Sequence, residues 1–209
     1  MSQTKQSSIY SFVAKGGIGP GTAVVDLFCG IGGFSCGAKQ AGHRIVLAVD
    51  CDPSLLDAHR GNNPECTHLC CKLPSGDIPL PTSGAWHLHG SPPCTKLSIM
   101  QPIQSVETRD GAVCLVAWFL DLALTSGCTS WTMEQVNHKA VRLELEALKR
   151  KYPLKVDWIV VDAVDYEVPQ NRRRVIAGSP LLVANLRFFR SKKRKLCVRD
   201  IFPDPPRQF

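Results

Sequence analysis

The 209-residue chain has no apolar run near the ~18 residues needed to cross a bilayer. Its polar start, Met1 to Ser11, lacks the apolar core of a secretory signal. No internal repeat is present, which excludes a solenoid or propeller. Together these features predict an intracellular protein that is neither secreted nor membrane-bound. Metal-site spacing is also missing. Cys66-Thr67-His68-Leu69-Cys70-Cys71 carries ligand residue types, but no second Cys/His pair follows at a zinc-site interval, so no metal is expected. The ten cysteines, with no export signal, read mostly as reduced, small hydrophobic residues.

The chain does carry excess positive charge, +7 overall. That balance suits a polyanionic partner without specifying one. Arg172, Arg173 and Arg174 form one cluster, and a second runs from Arg187 through Lys195. The second is either solvated surface or a phosphate-contacting or nuclear-import-like run.

Residues 1–21 are polar and then glycine-rich, and read as a flexible lead-in. From Thr22 onward, short apolar runs alternate with helix-like segments. Strands are expected at Ala23 to Phe28, Ile45 to Val49, Trp86 to His89, Ser130 to Met133, Trp158 to Val161 and Arg174 to Ala177. Helices are expected from the glycine turn to about Gln40, from Pro53, over Val113 to Leu124, and over Val141 to Lys151. The alternation predicts an α/β fold with a mostly parallel sheet and helices on both faces. The expected units are a lead-in at 1–21, a catalytic domain at 22–182 and a basic segment at 183–209.

In such sheets, ligands bind beyond the carboxyl ends of the strands. Cys29, Asp50, Cys94 and Glu134 all fall at such ends. The turn Gly30-Ile31-Gly32-Gly33 lets the backbone bend sharply at a helix start. Asp50, 20 residues after Gly30, is placed to bind both hydroxyls of a ribose. The turn lacks the Gly-x-Gly-x-x-Gly phosphate grip, which favours S-adenosylmethionine over a dinucleotide. Asp77 reads either as an adenine contact or as a turn aspartate before Pro79. Cys94 follows two prolines whose fixed φ makes a stiff loop, a presentation suited to a nucleophile.

Four segments then stand in one order: Asp26-Leu27-Phe28-Cys29-Gly30-Ile31-Gly32-Gly33-Phe34, Ser91-Pro92-Pro93-Cys94, Met133-Glu134-Gln135-Val136, and Val168-Pro169-Gln170-Asn171-Arg172-Arg173-Arg174. They resemble the ordered motifs of the cytosine-C5 DNA methyltransferase family, over about Ala23 to Gly178. The resemblance implies a Rossmann-like S-adenosylmethionine-dependent fold and a flipped-out cytosine in DNA as substrate. It implies Cys94 as the nucleophile on C6, with Glu134, Arg172 and Arg174 completing the catalytic set. Asp26, Phe28, Cys29, Gly30, Ile31, Gly33, Asp50, Cys51, Asp77 and Pro93 would contact the cofactor. Ser98, Gln170, Arg172 and Arg174 would contact the substrate.

Two departures accompany the resemblance. The family usually has Glu-Asn-Val where this chain has Glu134-Gln135-Val136, which exchanges a loop-bracing asparagine for a longer glutamine, with Asn137 next in line to compensate. Reduced rather than lost activity is the expectation. The family's target-recognition region and final segment are also not found after Val198 to Pro206. A second polypeptide, a truncated gene or a loss of catalysis would each account for this. The tRNA-directed branch of the family is the enzymatic alternative, although its Cys-Phe-Thr signature does not occur here. A non-catalytic cofactor- or nucleic-acid-binding remnant is the other.

Overall fold

The computed structural model describes residues 19–75, 77–93, 106–190, 197 and 200, with backbone only for 106–114. Seven strands form one sheet: β1 (Ala23–Leu27), β2 (Arg44–Asp50), β3 (Thr67–Cys70), β4 (Trp86–Gly90), β5 (Ser130–Val136), β6 (Asp157–Asp162) and β7 (Arg173–Gly178). Their spatial order is β3-β2-β1-β4-β5-β7-β6. The first five pair in parallel, while β7 runs antiparallel between β5 and β6. Among the described residues, five α-helices connect them: α1 (Gly33–Gln40), α2 (Pro53–Asn62), α3 (Val106–Thr125), α4 (Lys139–Lys151) and α5 (Pro180–Phe188). A 3-10 turn, Ala163–Tyr166, follows β6.

Strand alternation assigns each side chain to a face. Val25, Leu27, Trp86, Leu88, Trp131, Met133, Val175 and Ala177 point to one face, where they pack with Phe119 and Leu120 of α3 and Leu145 of α4. On the other face, Val24, Ile45 and Ala48 pack against Ala38 of α1 and Leu56 of α2. Gly90 has no room for a side chain, because a Cβ there would lie 2.2 Å from the Phe119 ring. Pro53 starts α2 with its fixed φ, and the Asp52 side chain caps that helix by accepting from Ser54 N at 2.8 Å.

The expected strands and helices are present, with some shifts. β5 continues past Met133, because β7 pairs with it as far as Val136, so Glu134 lies inside the strand rather than just beyond it. β3 is an addition to the expected strands: its four residues sit at the sheet edge and include His68 of the Cys/His-rich run. The expected boundary between 182 and 183 falls inside α5, whose Val183 is fully buried. Arg187 of α5 donates to Asp157 and to Trp158 O, and Arg190 pairs with Asp165. The beginning of the second basic cluster therefore ties α5 to the sheet. Among the described residues, no helix is long and apolar enough to cross a membrane.

Candidate active site at the carboxyl edge of the sheet

β1 ends at Leu27, and the chain turns through Phe28 (φ 59°), Gly30 (φ 54°) and Gly32 (φ 95°) before α1 begins. Three left-handed residues in five bend the chain back on itself, and glycine makes two of them inexpensive. Phe28 carries the cost as a non-glycine, and its ring meets Trp118 edge-on at 6.2 Å. Gly32 is doubly constrained, since a Cβ there would also meet the His59 ring at 2.8 Å.

Asp50 fastens this turn to the end of β2. Its Oδ2 accepts from Gly30 N at 2.9 Å and its Oδ1 from Asp52 N at 3.1 Å. Each oxygen keeps acceptor capacity for a further hydrogen bond. Ile31, Cys51 and Gly33 are exposed around it, and Ile31 is 61% exposed despite its apolar side chain. Cys29 is buried, and burial pushes its thiol well above the usual range, so it is not a reactive nucleophile. Asp77 is exposed, and its backbone N–H donates to Ser75 Oγ, as a turn residue would.

Asp26 lies beneath the turn, only 1% exposed, with Ser35 Oγ donating to its Oδ2 at 2.7 Å. His59 Nε2 lies 3.1 Å from the same hydroxyl, and His59 Nδ1 lies 2.8 Å from His68 Nε2. Because the Ser35 proton goes to Asp26, the contacts are satisfied when His68 donates to His59 and His59 to Ser35. Burial raises the Asp26 pKa to about 7, partly offset by the Ser35 hydrogen bond. Asp26 is thus closed off from the surface and supports α1 from inside. This Asp–Ser–His–His chain was not legible as a motif, because its members come from β1, α1, α2 and β3.

Glu134 and the arginines do come together. Arg174 Nε lies 2.7 Å from Glu134 Oε1, and Arg172 Nη2 lies 3.9 Å from the same oxygen. The Glu134 side chain is 30% exposed and that of Arg174 24%, leaving the pair open at the edge but partly shielded. Arg172 is positioned by its own N–H, which donates to Asp162 Oδ1. Gln170 is exposed and turns the chain through a bond from its N–H to Val168 O.

The loop after β4 is held from two sides. Ser91 N donates to Leu27 O at 3.2 Å, next to the glycine turn. Gln135 Nε2 donates to Pro92 O at 3.1 Å, while its Oε1 accepts from Val136 N. The glutamine in the departing Glu-Gln-Val segment therefore braces the loop itself. Asn137 is engaged instead by Arg142 of α4. Pro92 is buried and Pro93 exposed; Cys94 and Ser98 lie outside the described residues. Among the described residues, no cluster of three or more ligating side chains could hold a metal.

Residues 22–117 match the family described as C-5 cytosine-specific DNA methylase. The Type II methyltransferase M.XorII of Xanthomonas oryzae pv. oryzae is 30% identical over 167 residues, covering 73% of this chain and 39% of that protein. M.AquIA of Picosynechococcus sp. is 28% identical over 185 residues, covering 76% of this chain and 72% of that one. A DNA modification methyltransferase encoded within an E. coli prophage shares the fold with a TM-score of 0.63 and 23% identity, over 90% of this chain and 56% of that one. Spodoptera frugiperda DNMT2 shares it with a TM-score of 0.51 and 20% identity, over 76% and 49%. The chain spans about two fifths of the length of curated relatives such as M.XorII and M.DdeI.

Proposed function

We infer that the chain belongs to the cytosine-C5 DNA methyltransferase family, and from that premise that it transfers a methyl group from S-adenosylmethionine to C5 of cytosine in DNA. The observation that carries this reading is the Glu134–Arg174 pair beside a braced Pro-Pro loop, with the glycine turn adjoining that loop's root. A target ring in a duplex must be flipped out to reach such an edge.

The residues around Asp50 fit the cofactor. A half-buried carboxylate with spare acceptor capacity at the end of β2, and the exposed Ile31 of the left-handed turn, offer acceptors for a diol and an apolar contact for a planar ring. Asp50, Cys51 and the turn at Phe28, Gly30 and Gly33 would hold it, with Asp77 and Pro93 at the margins. Bound there, the cofactor supplies an electrophilic methyl group.

Cys94 is assigned as the nucleophile. Its thiolate adds to C6, forming an S–C bond and moving the ring's electron pair toward C5. Glu134 holds a proton at N3 and accepts from the exocyclic amine, stabilising the ring while C5 is electron-rich. Arg174 fixes the Glu134 carboxylate, and with Arg172 places positive charge near the base O2 and the thiolate. Ser98 and Gln170 would contact the substrate around them. C5 takes the methyl group; its proton then passes to water, and the released C–H electron pair re-forms the C5–C6 double bond and expels the Cys94 thiolate.

A second polypeptide is proposed to supply target recognition. Aligned stretches of similar length take up 72% of M.AquIA but 39% of M.XorII, so one relative is itself a short chain. Labelled methyl transfer to DNA and to tRNA, with wild type and Cys94→Ala, tests the reading. A covalent adduct with 5-fluorocytosine DNA that disappears in Cys94→Ala supports it. If the chain, alone and with any co-encoded recognition protein, neither binds S-adenosylmethionine nor forms the adduct, the non-catalytic reading replaces it.

A further inference from the structure

The central strands of a parallel sheet are usually apolar on both faces. Here one face of β4 and β5 is polar throughout, with His87 and His89 on β4 and Ser130, Thr132 and Glu134 on β5. The four inner groups and Ser91 form one unbroken ladder. Ser130 Oγ lies 2.9 Å from His87 Nδ1, and His87 Nε2 lies 2.8 Å from Thr132 Oγ1. Thr132 Oγ1 lies 2.9 Å from His89 Nδ1, and His89 Nε2 lies 3.0 Å from Ser91 Oγ.

Burial holds both imidazoles neutral, pushing His87 down to about 3 and His89 well below its ordinary value. A neutral imidazole has one donor and one acceptor, and a hydroxyl has a single proton. All four contacts can therefore be satisfied only if the ladder runs in one direction throughout. Reversing one link would leave a buried lone pair or N–H unmatched, at a cost of about 1–3 kcal/mol.

His89 occupies the decisive rung. Its ring lies flat on Phe34, with centroids 3.4 Å apart and planes within 6°. Phe34 is in the first turn of α1, directly after the glycine turn. One ring thus touches the helix that follows the proposed cofactor turn and the serine at the root of the proposed nucleophile loop. The mechanism above makes no use of it.

We propose that His89 is a positioning residue that sets Ser91-Pro92-Pro93, the segment immediately before Cys94 in sequence, against α1. The proposal rests on the cytosine-methyltransferase reading. Its removal should slow chemistry at the loop without weakening cofactor binding to the same degree.

The test uses the full chain, with any recognition partner present, and three variants: His89→Leu, His89→Gln and Thr132→Val. Circular dichroism and thermal melting first establish that each is folded. Adduct formation with 5-fluorocytosine DNA is expected to slow ten- to hundredfold in His89→Leu, a range typical of a misplaced reacting group, ~10²-fold at its upper end. S-adenosylmethionine affinity should change less than about threefold, and His89→Gln, which keeps donor and acceptor atoms, should recover most of the rate. Equal losses of rate and affinity, or no rescue by glutamine, would mean His89 is only part of the core. The Cys94 alkylation rate, read by peptide mass spectrometry against exposed Cys36, gives a second readout that needs no methyl transfer. If wild type forms no adduct, the methyl-transfer reading fails, yet a Cys94 alkylation rate altered in His89→Leu still upholds the positioning role. An unaltered rate overturns it.

Discussion

Gln135 of β5 and Pro92 of the loop after β4 are joined by a buried hydrogen bond of 3.1 Å, made by a side chain that is 1% exposed. The same amide accepts from Val136 N, so both its polar ends are used.

Gln135→Ala leaves the Pro92 carbonyl and the Val136 N–H without this partner. The expected loss is about 1–3 kcal/mol of stability in urea unfolding. Adduct formation should fall by more than the stability loss explains, because the loop loses its brace. Gln135→Asn, one methylene shorter, should show an intermediate rate, and a rate equal to wild type would argue that reach does not matter here.

Glu134→Gln keeps the shape but removes the charge that Arg174 holds. Methyl transfer should drop by about 10²–10⁴-fold, the usual contribution of a positioned acid–base group. Arg174→Lys keeps the charge but loses the fixed Nε geometry, and a reduction approaching ~10²-fold is expected. Single-turnover rates on a hemimethylated and an unmodified duplex measure both.

Asp26 gives a pH-dependent stability with a definite sign. Its folded pKa, about 7, lies above the ordinary 3.8, so between these values the folded state holds a proton that the unfolded state has released. Its contribution is therefore full below about pH 4 and is lost as pH rises toward 7, at about 1.4 kcal/mol per pKa unit. Asp26→Asn, which still accepts from Ser35, should flatten that slope and stabilise the protein more at pH 8 than at pH 5. Urea midpoints at the two pH values decide it.

Asp157 behaves in the opposite sense. Burial alone would raise it, but hydrogen bonds from Arg187 and Lys149 hold it at about 2. Its contribution is present above the ordinary 3.8 and lost as pH falls toward 2. Arg187→Ala should cost about 1–3 kcal/mol at pH 7. The difference from wild type should shrink between pH 4 and pH 2 in acid-unfolding curves.

Much of this was legible in the chain itself. Strand–helix alternation predicted the parallel sheet, and local motifs singled out Asp50, Gly30, Glu134 and the arginines as candidates, though not the contacts that join Asp50 to Gly30 and Glu134 to Arg174. What was not legible depends on contacts between distant segments. The four-residue β3 carries too little alternation to be read as a strand. Glu134 proved to be inside β5 because its pairing with β7, some 40 residues away, extends the ladder. His87 and His89 look like accidental polar residues in a strand until Thr132 is placed between them. Asp26 stands in the glycine-turn segment and was expected to contact the cofactor, but only the fold reveals Ser35 bonded to it and His59 behind Ser35.

The reversed β7 also bears on how the site tolerates error. Val136 faces Arg174 across the two strands, so a slip of one residue would put Arg173 there and leave an arginine still within reach of Glu134. The tandem arginines therefore insure the charge against misalignment but cannot choose the alignment. That choice falls to Val175 and Ala177, both fully buried, which the same slip would expel from the core. An insertion in this strand would be punished first as a folding fault, with the chemistry left a spare.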